Sequence, residues 1–377
     1  MRTTADSPAL LRWTRFTDNP IGTGGEKRSA QIRALVEAAG FVVADMHPPP
    51  SVPRARAWWA GLRWRLRLGR HASVDGAGPG LLGYRAVFYR EALARHPGPR
   101  LLLWETTYDT VLPCLARAAG FRIIALPHNL EAFVSEAAFA DPRHEVLTDL
   151  AAEVDRLGRA DVIFTIAKEE RWLLQSRGLE PHYLPFFPDP VLAADCAAIR
   201  AQRASRARAD GTVPGPLLLL GSAFNPATAR GMQLQLAWLR QGGLPPAGAV
   251  VVGPQTERVL AAVAFPGVQL RGGLTQPALR ELLESCSALL IHTVGGAGAV
   301  TRIPEALLAG IPVIANTNAA RDQHGRPGVH VYDDPAEFCR LAAQPLPQPP
   351  SPTPPVAEER RFQSTLRAMA ASQTPQR

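Results

Sequence analysis

ALLIHTVGGAGAVTRIPEALLAGIPVIANT, residues 288–317, puts a strand, a glycine loop, a helix and a second strand into one short run. The apolar residues 288–294 deliver the chain into Gly295, Gly296 and Gly298, which let the backbone approach a ligand and take positive φ. The helix is expected to start near residues 301–304, since Pro304 is tolerated in a first turn, and to end at Gly310. Its first N–H groups carry a partial positive charge suited to phosphate. Arg302 adds a full charge and a planar donor fork. Glu305, three residues on, shares that face. A carboxylate repels phosphate, so its sensible partner is a pair of ribose hydroxyls; the plainer alternative is an acid interacting with the helix dipole.

The alternation extends in both directions. PLLLLGSAF (216–224), GAVVVGP (248–254) and VQLRGG (268–273) read as strands before this run, with helices between them. Toward the amino end, ALLRWTRF (9–16), the glycine loop and helix of GTGGEKRSAQIRALVEAAG (22–40) and FVVADMH (41–47) form a strand–helix–strand unit. RLLLWET (100–106), YDTVLPCLARAAG (108–120) and FRIIALPHN (121–129) form another, and ADVIFTIA (160–167) leads into a helix near 168–177. Such alternation predicts parallel sheets covered on both faces. The proline-rich 185–191 and arginine-rich 200–215 interrupt it. The expected organisation is an amino-terminal α/β domain over 1–190, a hinge or linker over 191–215 and a second α/β domain over 216–343. A proline-rich tail with a closing helix, VAEERRFQSTLRAMAAS, occupies 344–377.

The 377 residues suffice for two domains, and 46% hydrophobic residues can fill two cores. Cys114, Cys196, Cys286 and Cys339 show no metal or disulfide spacing, so a reducing compartment and no metal are expected. MRTTADSPALLRW lacks the apolar core of a signal peptide, and no apolar run reaches the ~18 residues of a membrane span. A cytoplasmic location is therefore expected. The net charge of +8 invites a nucleic-acid reading. Only Lys27 and Lys168 are lysines, however, and six arginines crowd positions 54–70, where no acid occurs. The excess is local, and no nucleic-acid partner is expected.

Residues 295–316 resemble the donor-site signature of retaining family-4 glycosyltransferases of GT-B fold, in the branch where a glycine loop precedes a basic residue and a glutamate. Gly296-Ala297-Gly298, Arg302, Glu305 and EALLAGIPVIAN match it in order and spacing. The departure from the two-glutamate motif is Ala297, where those members carry an acid. NPIGTGGEKRSAQI resembles the glycine loop under the donor diphosphate, with Gly24 and Gly25 as contacts; LPHNLEAFVSE resembles the segment of the active-site histidine, placing it at His128. EVDRLGRADVIFTIAKEE resembles the end of the first domain, and LLLLGSAFNPATARGM the phosphate-binding opening of the second, with Asn225 and Arg230 as candidates. About 330 residues are covered in the family's order.

The resemblance implies two Rossmann-like domains with parallel sheets facing across a cleft, a nucleotide-diphosphate sugar as donor and a glycan or lipid-linked acceptor. It implies no metal, cofactor or covalent nucleophile. His128, Arg230 and Arg302 would serve catalysis, while Gly24, Gly25, Asn225, Gly296, Gly298 and Glu305 would hold the donor. One rival is a nucleotide-sugar 2-epimerase, which needs placed carboxylates. Another is a catalytically silent sugar-nucleotide-binding or scaffold protein, suggested by Ala297.

RARAWWAGLRWRLRLGRH (54–71) places Trp58, Leu62 and Leu66 on one helical face beside Trp59, with Arg54, Arg56, Arg63, Arg65, Arg67 and Arg70 around them. This is the composition of a basic amphipathic helix on an anionic membrane surface, contacted through Trp58, Trp59, Arg63 and Arg67. It is equally that of an ordinary helix with buried tryptophans.

Overall fold

The computed structural model describes residues 7–47, 51–68, 78–108, 110–134 and 146–372; positions 69–71 of the basic segment and 135–136 of LPHNLEAFVSE lie outside them. The chain divides into two units, residues 1–186 with 355–377, and residues 187–354.

The first unit is a parallel sheet of β1 (Ala9–Trp13), β2 (Val42–Asp45), β3 (Leu101–Trp104), β4 (Arg122–Ala125), β5 (Val162–Thr165) and β6 (His182–Tyr183), in the order β2-β1-β3-β4-β5-β6. Its helices are α1 (Gly24–Ala38), α2 (Arg54–Leu68), α3 (Pro79–Arg95), α4 (Val111–Ala118), α5 (Val146–Leu157) and α6 (Lys168–Ser176). The second unit holds α7 (Pro190–Arg206), β7 (Leu217–Leu220), α8 (Pro226–Gly242), β8 (Ala249–Val252), β9 (Val268–Leu270), α9 (Gln276–Ser285), β10 (Ala288–Ile291), α10 (Arg302–Leu308), β11 (Val313–Asn316), β12 (Val329–Tyr332) and α11 (Pro335–Ala343). Its sheet is also parallel, in the order β12-β11-β10-β7-β8-β9. The central strands LLLW, LLLL and ALLI are near-continuous apolar runs because helices cover both faces.

Each sheet reverses direction once. The chain steps from β1 outward to β2 and returns on the other side at β3; in the second sheet it steps from β7 to β8 and β9 and returns at β10. Ligands of open parallel sheets bind beyond the carboxyl ends of the strands at such reversals. The places to inspect are therefore the loops after β1 and β3, and those after β7 and β10.

The expected linker over 191–215 is helical for most of its length. Asp189 caps α7 by accepting from Val191 N at 2.7 Å and Leu192 N at 3.2 Å, and Pro190 fills the first helical position. Arg203, only 1% exposed, donates to the carbonyls of Leu283, Cys286 and Gly310, and Arg200 to those of Leu307, Leu308 and Pro349. An arginine-rich run that reads as solvated linker instead satisfies the orphan carbonyls at the ends of α9 and α10.

The closing helix, α12 (Val356–Ala371), belongs to the first unit. Phe362 and Leu366 are fully buried with Leu10, Ile32, Leu101, Ile124 and Phe164, and Phe362 meets Phe164 edge-on at 5.2 Å. Arg367 donates to Ala38 O and Ala39 O, capping the end of α1. The strands β6 and β12 were not legible in the sequence, the first being two residues long and the second carrying a histidine inside a short polar-flanked run.

Candidate functional site

At the reversal of the first sheet, Glu105 follows β3 directly and is fully buried as a side chain. It accepts from Ser29 Oγ at 2.5 Å, from Arg12 Nη1 at 3.3 Å and from His128 Nε2 at 3.1 Å. Burial alone would push its pKa up; the hydrogen bond from His128, the Arg12 charge and the Ser29 hydroxyl outweigh that and hold it below the usual carboxylate range. Glu105 is thus ionised, and His128 must carry its proton on Nε2. Burial holds the His128 pKa down, Glu105 does not offset it, and the nearby charges of Arg28 and Arg15 push the same way. The imidazole is neutral at pH 7. Its Nδ1 is buried, as is the side chain at 8% exposure, and has no hydrogen-bond partner among the described residues. The arrangement is a base with a fixed tautomer and an unbonded lone pair on Nδ1.

The ring of Phe16 stacks on His128 with centroids 4.8 Å apart and 10° between planes. Phe16 also explains Gly25: a Cβ there would come within 2.4 Å of the Phe16 ring. Gly24 is the first residue of α1, behind Thr23, which forms a capping box with Glu26. Arg12 and Arg33 hold the loop after β1 by ion pairs to Asp18 at 2.7 and 2.5 Å and to Asp45 at 2.6 and 2.7 Å. The segment bearing His128 is held from below: Glu170 accepts from Leu130 N at 2.8 Å, and Glu153 from Glu131 N and Ala132 N at 3.0 Å each.

At the reversal of the second sheet, Gly296 and Gly298 take the expected positive φ, +103° and +76°. Arg321 Nε donates to Gly298 O at 2.9 Å; Asn316 bonds both backbone groups of Thr293, and Asn318 bonds Thr293 O and Oγ1. The glycine loop is therefore shaped from the end of β11. The α10 helix spans seven residues and ends before Gly310, which adopts φ +75°. Arg302 reaches back to donate to Leu220 O at the end of β7, tying the two loops together; burial lowers its pKa, opposed by Glu305. Glu305 is half-buried one turn on. Asn225 caps α8 by accepting from Thr228 N at 3.1 Å, and Arg230 is exposed in the first turns of that helix.

The structure thus brings Asn225, Arg230, Gly296, Gly298, Arg302 and Glu305 to adjoining loops of one sheet, and Gly25 and His128 into contact with one phenylalanine in the other. Sequence reasoning passed over Glu105, Ser29, Phe16 and Asn316. Glu105 alone carried a legible signal, an acid set immediately after a buried apolar strand.

On α2, the buried stripe is Ala57, Gly61 and Trp64; a Cβ at Gly61 would collide with the backbone of the facing helix α3, and one at Gly83 of α3 with the backbone of α2. Trp58 and Trp59 are 49% and 60% exposed and Leu66 78%. Arg63 and Arg67 are exposed, the latter lying over the Trp64 ring at 5.7 Å. The reading in which the neighbouring pair of tryptophans is buried is therefore corrected: helix packing is done by the small residues and Trp64. Among the described residues no helix is long and apolar enough to cross a membrane.

No protein-family model and no curated protein sequence matches the chain. Solved structures do. HepE of Anabaena, in complex with UDP-glucose, is similar with a TM-score of 0.58 at 14% identity over 96% of this chain and 100% of that one. Sucrose-phosphate synthase of Thermosynechococcus elongatus is similar with a TM-score of 0.62 at 15% identity over 97% and 94%. UDP-GlcNAc 2-epimerase of Methanocaldococcus jannaschii is similar with a TM-score of 0.51 at 11% identity over 96% and 99%. These names span two reactions, so the likeness speaks for the architecture: the chain has the two-domain, Rossmann-like GT-B fold.

Proposed function

We propose that the chain is a glycosyltransferase that moves a sugar, with retention, from a nucleotide-diphosphate sugar to a glycan or lipid-linked acceptor in polysaccharide or glycolipid synthesis. The observation that carries this is the neutral His128, its tautomer fixed by Glu105 and its Nδ1 without a hydrogen-bond partner among the described residues, at the reversal of the first sheet. Nδ1 accepts the proton of the acceptor hydroxyl. The acceptor oxygen bonds the anomeric carbon from the same face that the diphosphate leaves, and the bond from that carbon to the diphosphate breaks with its electron pair left on the phosphate oxygen, so the configuration is retained. Arg302 and Arg230 offset the charge that develops there, and the backbone at Gly296 and Gly298 faces the diphosphate. Glu305 holds the ribose hydroxyls, Asn225 shapes the loop after β7, and the start of α1 at Gly24 and Gly25 adds backbone donors. HepE, solved with UDP-glucose, makes a UDP-sugar the first donor to test.

An epimerase needs free carboxylates beside the sugar, and Glu105 is already committed to Arg12, Ser29 and His128. A silent binder would bind without turnover. Incubation with a panel of nucleotide-diphosphate sugars, following released nucleoside diphosphate and product by NMR, separates the three. Nucleotide release with an α-linked product from an α-linked donor is expected; a C2 epimer, or binding with no chemistry, refutes the proposal.

We further place α2 on an anionic membrane surface. Trp58, Trp59 and Leu66 are exposed among Arg54, Arg63, Arg65 and Arg67, with no acid on the helix. Sedimentation with phosphatidylglycerol vesicles but not phosphatidylcholine vesicles is expected, and its loss in Trp58→Ala/Trp59→Ala. Equal recovery with both lipids argues against it.

A further inference from the structure

We propose that Arg15 is an anion-binding residue, so that the acceptor carries a phosphate or carboxylate close to the hydroxyl that reacts. The inference rests on the acceptor role given to His128. Arg15 lies two residues beyond β1, at the reversal of the first sheet, and its side chain is exposed. Its backbone N is fixed by Thr106 Oγ1 at 2.9 Å. The guanidinium lies over the Tyr108 ring at 4.4 Å and the Phe16 ring at 5.0 Å. Phe16 is the residue stacked on His128, so one ring sets the positions of the cation and of the base.

Arg12, Arg28, Arg33, Arg200 and Arg203 are committed to carboxylates or carbonyls. Arg15 differs: no carboxylate lies within ion-pair distance of it among the described residues. Stacking on aromatic faces leaves the in-plane N–H donors of a guanidinium available for a bidentate oxyanion. An acidic neighbour in electrostatic reach is Glu131, whose carboxyl is pushed up to about 7 by burial and by Glu153, so it is only partly ionised at neutral pH and offsets the Arg15 charge incompletely. A cation held in place with no ion pair among the described residues selects a substrate that brings an anion.

The test follows the His128 ring resonance, assigned with His128→Gln, in protein labelled at histidine carbons, during titration with inorganic phosphate and separately with acetate. A saturable shift is expected in wild type. Tighter phosphate names a phosphorylated acceptor, and tighter acetate a uronate-type one. Arg15→Gln, at an exposed position that leaves folding intact by circular dichroism, should weaken that binding about tenfold or more, and Arg15→Lys less. No shift with either anion, or Arg15→Gln titrating like wild type, overturns the proposal. The readout does not depend on nucleotide binding, so failure of the donor-site reading would show separately, in a nucleotide-binding screen.

Discussion

His128 donates its Nε2–H to Glu105 Oε2 across 3.1 Å, and Glu105 in turn is fixed by Ser29 and by Arg12. The imidazole therefore has one orientation and, among the described residues, one unbonded lone pair, on Nδ1. Glu105→Gln should lower turnover by roughly 10²–10⁴-fold, as loss of an orienting carboxylate does when the tautomer is no longer fixed. Arg12 retains Asp18 and Asp45, so the variant should still fold. Because Glu105 raises the His128 pKa against burial, its removal should also move the acid limb of the pH–rate profile lower. Unchanged turnover and an unmoved limb would remove Glu105 from the machinery.

Gly25→Ala tests the contact between the glycine loop and the base. The new Cβ would sit 2.4 Å from the Phe16 ring, which must shift, and the His128 stack with it. Turnover should fall while the melting temperature changes little, since alanine favours the helix by up to about 1 kcal/mol. In a Phe16→Ala background the Gly25→Ala effect should shrink, giving a double-mutant coupling; full additivity would place the effect elsewhere.

Glu131 makes stability depend on pH. Its folded pKa of about 7 lies above the ordinary 4.5, through burial and the Glu153 charge, with Tyr108, Arg15 and Arg156 opposing. The folded state therefore binds more protons than the unfolded one between those values, and its stabilising proton is lost as pH rises through 7. Glu131→Gln should raise the melting temperature more at pH 8 than at pH 5. An equal gain at both pH values would contradict this assignment.

Phe362→Ala should cost about 3–5 kcal/mol, because the ring is fully buried against Phe164, Leu10 and Ile124 on the face of the first sheet. Urea denaturation of the full chain checks it. A loss below about 1 kcal/mol would mean that α12 is not part of that core.

Both sheets were legible because buried parallel strands such as LLLW and ALLI are unmistakable apolar runs, and the positive φ of Gly296 and Gly298 followed from their residue type. The helix α7 was not, because the chemistry that makes it one is tertiary: Arg200 and Arg203 bond carbonyls about 80 to 150 positions away. The same holds for the first-sheet site. Arg12, Ser29, Glu105 and His128 come from four segments, and only the histidine stood in a recognisable context.

The most direct test of the central claim is thermal denaturation of the protein with UDP, GDP, ADP, CMP and dTDP, repeated with the best of them on Glu305→Ala. At a hundredfold above its dissociation constant a bound nucleotide adds about 2.7 kcal/mol, a rise of several degrees. One nucleoside diphosphate should stabilise wild type and fail to stabilise Glu305→Ala, placing the ribose on Glu305. No shift from any of the five, with the protein folded, would contradict the nucleotide-sugar donor site.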